Sequence, residues 1–255
     1  MTGREITEAL EEAGVRPNRQ LGQNFLCDAN VARWITDQLD PQLEDTVVEV
    51  GPGTGALTEM LIGRVKRMIL VEFDSRLAAW LTRRFADRPD VEVHHADGAR
   101  FDPRVFWKFG PVKFLGNLPY SSGGAIMRNM LSRPHPFRRA VIMLQKEVID
   151  RLGAVPRTKA YGVLSLRVQS AWRVTPLKVV PPEAFMPRPQ IDSSVALLEP
   201  LEDELPVFHG ERFDELIRRG FAQRRKQLAK QLPPVPSWGD VARKLGFSDK
   251  ARAEE

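Results

Sequence analysis

The sequence contains, from residue 47 to residue 55, the segment Val47-Val48-Glu49-Val50-Gly51-Pro52-Gly53-Thr54-Gly55. Its apolar first half is typical of a buried strand. Apolar residues at helical spacing follow the glycines: Ala56, Leu57, Met60 and Leu61. A strand, a glycine turn and a helix in this order bring bare backbone close to a ligand. The segment therefore predicts a ligand-binding turn in an α/β sheet.

The spacing of these glycines separates two classes of ligand. It is G-x-G-x-G, whereas the dinucleotide fingerprint is G-x-G-x-x-G with a pyrophosphate at the helix N-terminus. Glu49, an acid inside the strand, also disfavours a phosphate nearby. The pattern favours an adenosyl ligand with a positive charge and no phosphate, S-adenosylmethionine, held in part by Gly51 and Gly53. The alternative is a plain tight turn.

Two further predicted strands lead to acidic residues. The run Met68–Val71 ends at Glu72, and the run Val91–His94 reaches Asp97. Glu72 can accept hydrogen bonds from both ribose hydroxyls, and Asp97 can accept one from the adenine amine. Taken singly, each acid is more often a solvated loop residue. Glu49, Glu72 and Asp97 lie at three successive strand ends, and this arrangement favours one site shared by the three acids.

Neighbouring residues complete the predicted adenosyl site. Phe73 is available to pack against the adenine, and the amide of Gly98 can donate to its ring. A fourth strand, Lys113–Gly116, delivers Asn117. In an open parallel sheet the ligand lies at the carboxyl ends of the strands. We therefore expect these residues and the glycine turn to surround one crevice.

The loop after the fourth strand, Asn117-Leu118-Pro119-Tyr120, has the chemistry to hold a planar amine. Pro119 fixes its own φ and keeps Leu118 extended, so the loop is rigid and can aim backbone carbonyls at one point. The Asn117 amide can donate and accept, and the Tyr120 ring can stack on a base. The alternative is an ordinary strand–turn–helix junction.

Residues 161–198 change the pattern. The runs Val163–Val168, Trp172–Val179 and Val195–Leu198 predict strands added antiparallel to the parallel sheet. A loop with four prolines, residues 181–194, holds Phe185. This ring either clamps a base from the side opposite Tyr120 or serves as a hydrophobic plug.

The N-terminal residues predict two helices, Ile6–Ala13 and a second one capped by Asp28. Gln23 and Asn24 precede the second helix and lie between apolar residues. They either point at a polar ligand, or they cap the helix or bond to the backbone. This stretch alone favours the second explanation.

The composition limits the possible classes of protein. The chain has 255 residues, a net charge of +5 and a pI of about 9.5, which suits an acidic partner such as nucleic acid. It has one cysteine, and its four histidines show no metal-ligand spacing. No apolar leader or membrane-length run is present. We expect a cytoplasmic protein without a metal.

The C-terminal region carries the strongest concentration of positive charge. Apolar residues recur at helical spacing from Phe213 to Leu232, and Arg212–Lys230 contains seven Lys or Arg against two acids, a local charge of +5. We interpret this helix face as one that contacts RNA phosphates, the alternative being a merely solvated face. The predicted phosphate contacts are Arg218, Arg219, Arg224, Arg225, Lys226 and Lys230.

Together these motifs resemble the KsgA family of ribosomal RNA adenine dimethyltransferases, in order and at similar spacing. The resemblance is carried by the segments Leu21–Leu26, Val48–Gly55, Asn117–Tyr120, Gln145–Glu147, Phe185–Pro189, Ile191–Ser194 and Phe221–Lys226, with Glu72 and Asp97. With it, Gln23, Asn24 and Leu26 join the predicted cofactor site.

The resemblance implies a fold, a domain organisation and an activity. The fold is α/β, a seven-stranded Rossmann-like methyltransferase sheet with a small all-α C-terminal domain, which we place at residues 1–200 and 201–255. The activity is transfer of methyl groups from S-adenosylmethionine, giving S-adenosylhomocysteine, to two adjacent adenosines in the hairpin near the 3′ end of small-subunit rRNA. We expect a monomer linked to ribosome biogenesis. Gly98 stands where relatives often carry alanine. We expect this difference to be tolerated, because the contact expected of Gly98 is made by its backbone.

Three other functions remain open at this point. One is an Erm-type methyltransferase acting on large-subunit rRNA, although Leu118 favours the KsgA branch. Another is a ribosome-assembly factor that acts mainly by binding, although the presence of Glu72, Asp97 and Asn117 argues against an inactive enzyme. A small-molecule or protein methyltransferase would leave the basic helix unexplained.

Overall fold

The structure is a computed structural model that describes residues 1–17, 22–110, 112–201, 210–232 and 237–255. Leu21, the first residue of one motif, and most of the acidic stretch after residue 201 lie outside the described residues.

A seven-stranded sheet, in the order β4-β3-β2-β5-β6-β9-β7, forms the centre of the fold. The pairs β2–β3, β2–β5, β3–β4 and β5–β6 are parallel, and β6–β9 is antiparallel. The predicted seven-stranded α/β sheet is therefore confirmed. The strands are β1 Phe25–Leu26, β2 Thr46–Val50, β3 Arg67–Glu72, β4 Val91–His95, β5 Val112–Asn117, β6 Phe137–Gln145, β7 Trp172–Val180, β8 Phe185–Met186 and β9 Ser193–Pro200.

The central strands are apolar without alternation because both faces of the sheet are covered. All five residues of β2 are buried. In the parallel register Val50 lies opposite Val71, and Glu49 opposite Leu115 is the last pair with β5. The carboxyl ends of β2, β3 and β5 therefore meet at one edge.

Asp28 caps the second helix, as predicted, by accepting from the amides of Asn30 and Val31. Short 3-10 turns occupy Pro103–Phe109, Pro182–Ala184 and Leu228–Lys230. The α-helices are α1 Gly3–Glu12, α2 Ala29–Gln38, α3 Thr58–Leu61, α4 Ser75–Arg84, α5 Gly123–Met130, α6 Lys146–Leu152, α7 Val163–Gln169, α8 Gly210–Ala222 and α9 Trp238–Leu245.

One predicted strand is wrong: Val163–Val168 forms helix α7. Only its first and last residues are β-branched, and the residues between them are compatible with a helix. The Ser165 hydroxyl accepts from the Gly162 amide at 3.1 Å, which caps the first turn. Helix α7 also contacts α8, so tertiary packing stabilises the helical form.

By its internal contacts the chain divides into two compact units. The first comprises Met1–Ile149 and Arg173–Pro200 and contains most of the sheet; the second comprises Asp150–Trp172 and Leu201–Glu255 and is mainly helical. The second unit thus takes in a segment that precedes residue 200. The domain boundary between residues 200 and 201 stays a prediction.

Candidate active site

A cavity of about 280 Å³ lies at the carboxyl ends of the parallel strands in the first unit. Its lining comes from residues 22–26, 49–54, 71–74, 96–99 and 117–122, with a few residues of the following helices. All the predicted cofactor residues are among them, and so are the four residues of the loop after β5. The structure therefore brings together segments that are far apart in the sequence.

The glycine turn provides a close backbone wall for this cavity. Gly51 and Gly53 have φ values of 72° and 58°, which favour glycine. A Cβ atom at position 53 would lie 2.9 Å from Cδ1 of Phe25, so a larger residue does not fit there. The Gly53 amide donates to Oε2 of Glu72 at 3.1 Å. This contact joins the ends of β2 and β3.

Glu72 is buried, and its two carboxylate oxygens have different partners. Oε2 accepts from Gly53, and Oε1 accepts from the Asp74 amide at 2.9 Å. Burial raises the pKa of this carboxyl group, while the two amide contacts act in the opposite direction. A carboxylate in the cavity wall has spare lone pairs, which suits hydroxyl donors such as those of a ribose.

Phe73 and Asp97 lie beside this carboxylate. Phe73 is 59% exposed, unusual for a large apolar side chain, so its ring is available to a planar ligand. Asp97 accepts from the Ala99 amide at 2.9 Å and lies 3.7 Å from the Arg100 guanidinium. A flat apolar surface next to a carboxylate suits an adenine ring with its amine.

Gly98 packs closely against the end of strand β2. A Cβ atom at this position would lie 2.6 Å from Cγ1 of the buried Val50. An alanine at this position would require Val50 to shift, whereas the backbone contact expected of Gly98 needs no side chain. The Gly98 carbonyl accepts from Nδ2 of Asn129 at 3.0 Å, which fixes this loop.

Asn117 ends β5 and forms a contact with the N-terminal motif. Its Nδ2 donates to the Asn24 carbonyl at 3.3 Å, and the Asn24 side chain donates in turn to the Gly22 carbonyl at 3.2 Å. Gln23, Asn24 and Leu26 all line the cavity. The Asn24 side chain thus bonds to the backbone, one of the alternatives given for it, and Asp28 caps α2 as predicted.

The rest of the loop after β5 is held firmly. Leu118 is buried, and its amide donates to the Met143 carbonyl at 3.1 Å. The Pro119 carbonyl accepts from the amides of Ser122 and Gly123, at 3.2 and 2.7 Å. Because that carbonyl is already engaged, the Leu118 carbonyl is the better acceptor for a substrate amine.

Phe185 does not occupy the position predicted for it. Its side chain is 2% exposed and belongs to the hydrophobic core. It lies on β8, opposite Leu26 of β1 in a small antiparallel pair. A ring buried on both faces cannot stack on a base, so its role as a second clamp is corrected to that of a core residue, the alternative considered above.

Glu49, which the sequence grouped with the other strand-end acids without giving it a role, lines the cavity. It is 1% exposed, and its Oε2 accepts from the Thr58 hydroxyl at 2.6 Å. Burial raises its pKa to about 7, with a smaller contribution from the charge of Glu72. An acid inside an otherwise apolar strand was the signal that identifies it.

The basic C-terminal region is not one continuous helix. Helix α8 ends at Ala222, and only Arg218 and Arg219 of the predicted phosphate contacts lie on it. Arg224, Arg225 and Lys226 lie in the turn that follows, and Lys230 ends a 3-10 turn. The helix predicted to run to Lys230 is therefore wrong, since the amide of Gln223 bonds to the Gln231 side chain instead of continuing the helix.

The six basic residues have different surroundings. Arg224 donates to Glu254 at 2.7 Å and to the carbonyls of Lys159 and Thr158, so its guanidinium is used within the protein. Arg219 pairs with Glu215 at 2.6 Å. A groove in the second unit has no acid among its described lining residues. We call it the basic groove, and its cations are Arg219, Arg225, Lys226, Lys230 and Arg252. Sequence reasoning missed Arg252, which pairs with Gln227 in an isolated bridge.

Among the described residues, no helix is long and apolar enough to cross a membrane. The same residues contain no group of three or more His, Cys, Asp or Glu side chains placed to hold a metal ion.

Comparison with solved structures supports the fold. A dimethyladenosine transferase from Plasmodium falciparum matches with a TM-score of 0.75 and 26% identity, covering 90% of this chain and 91% of that one. The 23S rRNA methyltransferase ErmE matches with a TM-score of 0.69 and 24% identity, covering 91% and 93%. At that identity the second likeness shows the fold alone.

Comparison of sequences defines the family. "Ribosomal RNA small subunit methyltransferase A" of Geobacter metallireducens is 42% identical over 219 residues, covering 84% of this chain and 80% of the relative. The protein of the same name from Picosynechococcus sp. is 37% identical over 258 residues, covering 94% and 93%. A family model described as "Ribosomal RNA adenine dimethylase" matches residues 14–241. The chain therefore belongs to the ribosomal RNA adenine dimethylase family.

Proposed function

We propose that this protein transfers methyl groups from S-adenosylmethionine to the exocyclic amines of adenines in small-subunit rRNA. The observation that carries the proposal is the position of Asn117, whose side chain lines the same cavity as Glu72 and Asp97. One wall of this cavity suits an adenosyl group and another suits an amine. The family and the names of the curated relatives support the same reaction.

The residues that line the cavity support S-adenosylmethionine as the cofactor. A Cβ atom would clash with Phe25 at Gly53 and with Val50 at Gly98, so both positions favour glycine, and both residues line the cavity. Glu72 would accept the ribose hydroxyls, Asp97 the adenine amine, and Phe73 would cover the ring. The bound cofactor supplies an electrophilic methyl group on a sulfonium. No phosphate needs to be held, which agrees with the two buried acids, Glu49 and Glu72, in the wall.

The loop after β5 activates the amine by position. An adenine amine is a weak nucleophile because its lone pair is delocalised into the ring. Oδ1 of Asn117 and the carbonyl of Leu118 would accept hydrogen bonds from the two N–H groups of the amine. These contacts would draw the nitrogen towards a tetrahedral shape. The lone pair is then free for attack. The N-methylated cation would be acidic enough to lose its proton to water, so no general base is required. The catalysis is orientation combined with electrostatic stabilisation.

The target base must leave the RNA stack to reach this loop. The Tyr120 ring would stack on it, and the basic groove of the second unit would bind RNA phosphates. We place the reaction at two adjacent adenosines of the 3′-terminal hairpin, in the cytoplasm and as a monomer linked to ribosome biogenesis.

The deciding experiment is a methyl-transfer assay with labelled cofactor. Small-subunit particles that lack the modification serve as substrate, and protein-free large-subunit rRNA serves as control. We expect dimethyladenosine in the small-subunit product only. Methylation of large-subunit rRNA instead would favour the Erm-type reaction, and tight binding without methyl transfer would favour an assembly factor.

A further inference from the structure

The hydroxyl of Tyr120 makes a short contact with a residue 73 positions away. Its Oη lies 2.5 Å from Oγ of Ser193. Ser193 begins β9, is 0% exposed, and lies opposite Gln145 of β6 in the antiparallel register. The segment Ile191–Ser194 is one of the motifs of the sequence, and the site described so far gives it no role.

The two ends of the Tyr120 side chain are both held. At the backbone end, the chain packs so closely on Gly22 that a Cβ atom there would lie 3.0 Å from the Tyr120 amide nitrogen. At the far end, the hydroxyl contacts Ser193. The ring between them is only partly buried and lines the cavity. A tyrosine held at one end alone can turn about two side-chain torsions. A contact at the hydroxyl restricts χ1, because a change in χ1 would move Oη. It acts on χ2 only through the preference of a phenol hydroxyl to hydrogen-bond in the plane of its ring.

The orientation of this ring matters for binding a base. Stacking gains its energy only when the two planes are close to parallel. We propose that Ser193 is a positioning residue that holds the Tyr120 ring in place for stacking on the target adenine. This inference rests on the proposed function. The Tyr120 hydroxyl then serves as an anchor within the protein, and the face of the ring meets the substrate.

The next residue provides a matched control. Ser194 is also buried, on the same strand, but successive side chains of a strand point to opposite faces. Its hydroxyl donates to the Lys178 carbonyl at 3.2 Å. Ser194→Ala therefore removes a buried hydroxyl of the same strand without touching Tyr120.

A double-mutant cycle tests the inference. We expect Ser193→Ala to lower kcat/KM on small-subunit particles about two- to tenfold, the effect of one hydrogen bond. Tyr120→Phe should cause a similar loss, and the double variant should be no worse than either single one. Affinity for S-adenosylmethionine and the Tm should change no more than in Ser194→Ala. Losses that multiply in the double variant, or an equal activity loss in Ser194→Ala, would overturn the inference.

A spectroscopic readout separates this inference from the proposed function. The chain has two tyrosines, so in a Tyr161→Phe background the phenolate absorbance reports Tyr120 alone. Burial raises the pKa of Tyr120, and the contact with Ser193 opposes that rise. Ser193→Ala should therefore raise this pKa further. A pKa shift in a protein that never methylates adenine would reject the proposed function, whereas normal methylation with no shift and multiplying losses would reject the inference.

Discussion

The side-chain nitrogen of Asn117 lies 3.3 Å from the carbonyl oxygen of Asn24. A carbonyl can only accept, so the amide nitrogen must face Asn24, and Oδ1 of Asn117 is left as an acceptor on the other side. The N-terminal motif thus determines which atom of Asn117 a substrate meets. This is the orientation that an amine donor requires.

Asn117→Ala should lower the turnover number about 100-fold or more, because it removes an acceptor aimed at the reacting nitrogen. Single-turnover methyl transfer on small-subunit particles measures the effect. Since Asn117 also touches the segment that lines the cofactor cavity, calorimetry with S-adenosylmethionine must be run in parallel. A loss of turnover that saturating cofactor restores would mean that Asn117 acts only through cofactor binding.

Glu72→Ala should weaken S-adenosylmethionine binding by about 1–3 kcal/mol, because a carboxylate that can accept from the ribose hydroxyls is lost. Isothermal calorimetry measures the change. Glu92→Ala, which removes an exposed acid on the neighbouring strand β4, is the control and should leave affinity unchanged. Equal affinities for the Glu72 variant and the parent would refute the ribose assignment.

Glu49 should make the stability of the protein depend on pH. Its pKa is raised from 4.5 to about 7, so between these values the folded protein binds more protons than the unfolded chain. The stabilisation is complete below pH 4.5 and is lost as the pH rises to about 7.

Glu49→Gln should remove this pH dependence. The difference in unfolding free energy between the variant and the parent should shift in favour of the variant by up to about 3 kcal/mol from pH 5 to pH 8. Chemical denaturation at several pH values measures it. Glutamine can still accept from Thr58, so a difference that stays constant over this range would show that Glu49 does not titrate there.

Gly98→Ala should destabilise the protein by about 1–3 kcal/mol and weaken cofactor binding, because the new methyl group meets Val50. Thermal unfolding and calorimetry measure the two effects. Val50→Ala alone leaves a small space, and the double variant should recover part of both losses. A Gly98→Ala protein that matches the parent would mean that Val50 moves at little cost.

The basic groove should bind RNA through residues other than Arg224. Reversing Arg225 and Lys226 to glutamate should weaken RNA binding and lower the slope of log K against log salt by roughly one per lost phosphate contact, with cofactor affinity unchanged. Filter binding at several salt concentrations measures this. An unaltered slope would mean that the groove is merely solvated.

Arg224→Ala should behave differently, because its guanidinium bonds to Glu254, Lys159 and Thr158. We expect a lower Tm, from a loss of about 1–3 kcal/mol, and a smaller change in salt dependence than the charge reversals cause. A salt slope that falls as much as in the Arg225 and Lys226 variant, with the Tm intact, would assign Arg224 to RNA binding after all.

Local sequence patterns were sufficient to predict the sheet and one side of the site. Runs of apolar residues predict the strands, and in a parallel sheet the strand ends meet at a common edge. The convergence of Gly53, Glu72, Asp97 and Asn117 followed from these two facts. No long-range contact had to be known beforehand.

The tertiary structure decided everything that depends on the environment of a side chain. Phe185 is a core residue, and the guanidinium of Arg224 bonds to other residues of the protein. Both residues lie in motifs that predict ligand contacts. Helix α7 forms from a sequence that periodicity assigned to a strand. The partner of Tyr120 is Ser193, on a strand far along the chain. Burial and pairing arise from contacts between segments distant in sequence, and periodicity records only which face of its own element a residue occupies.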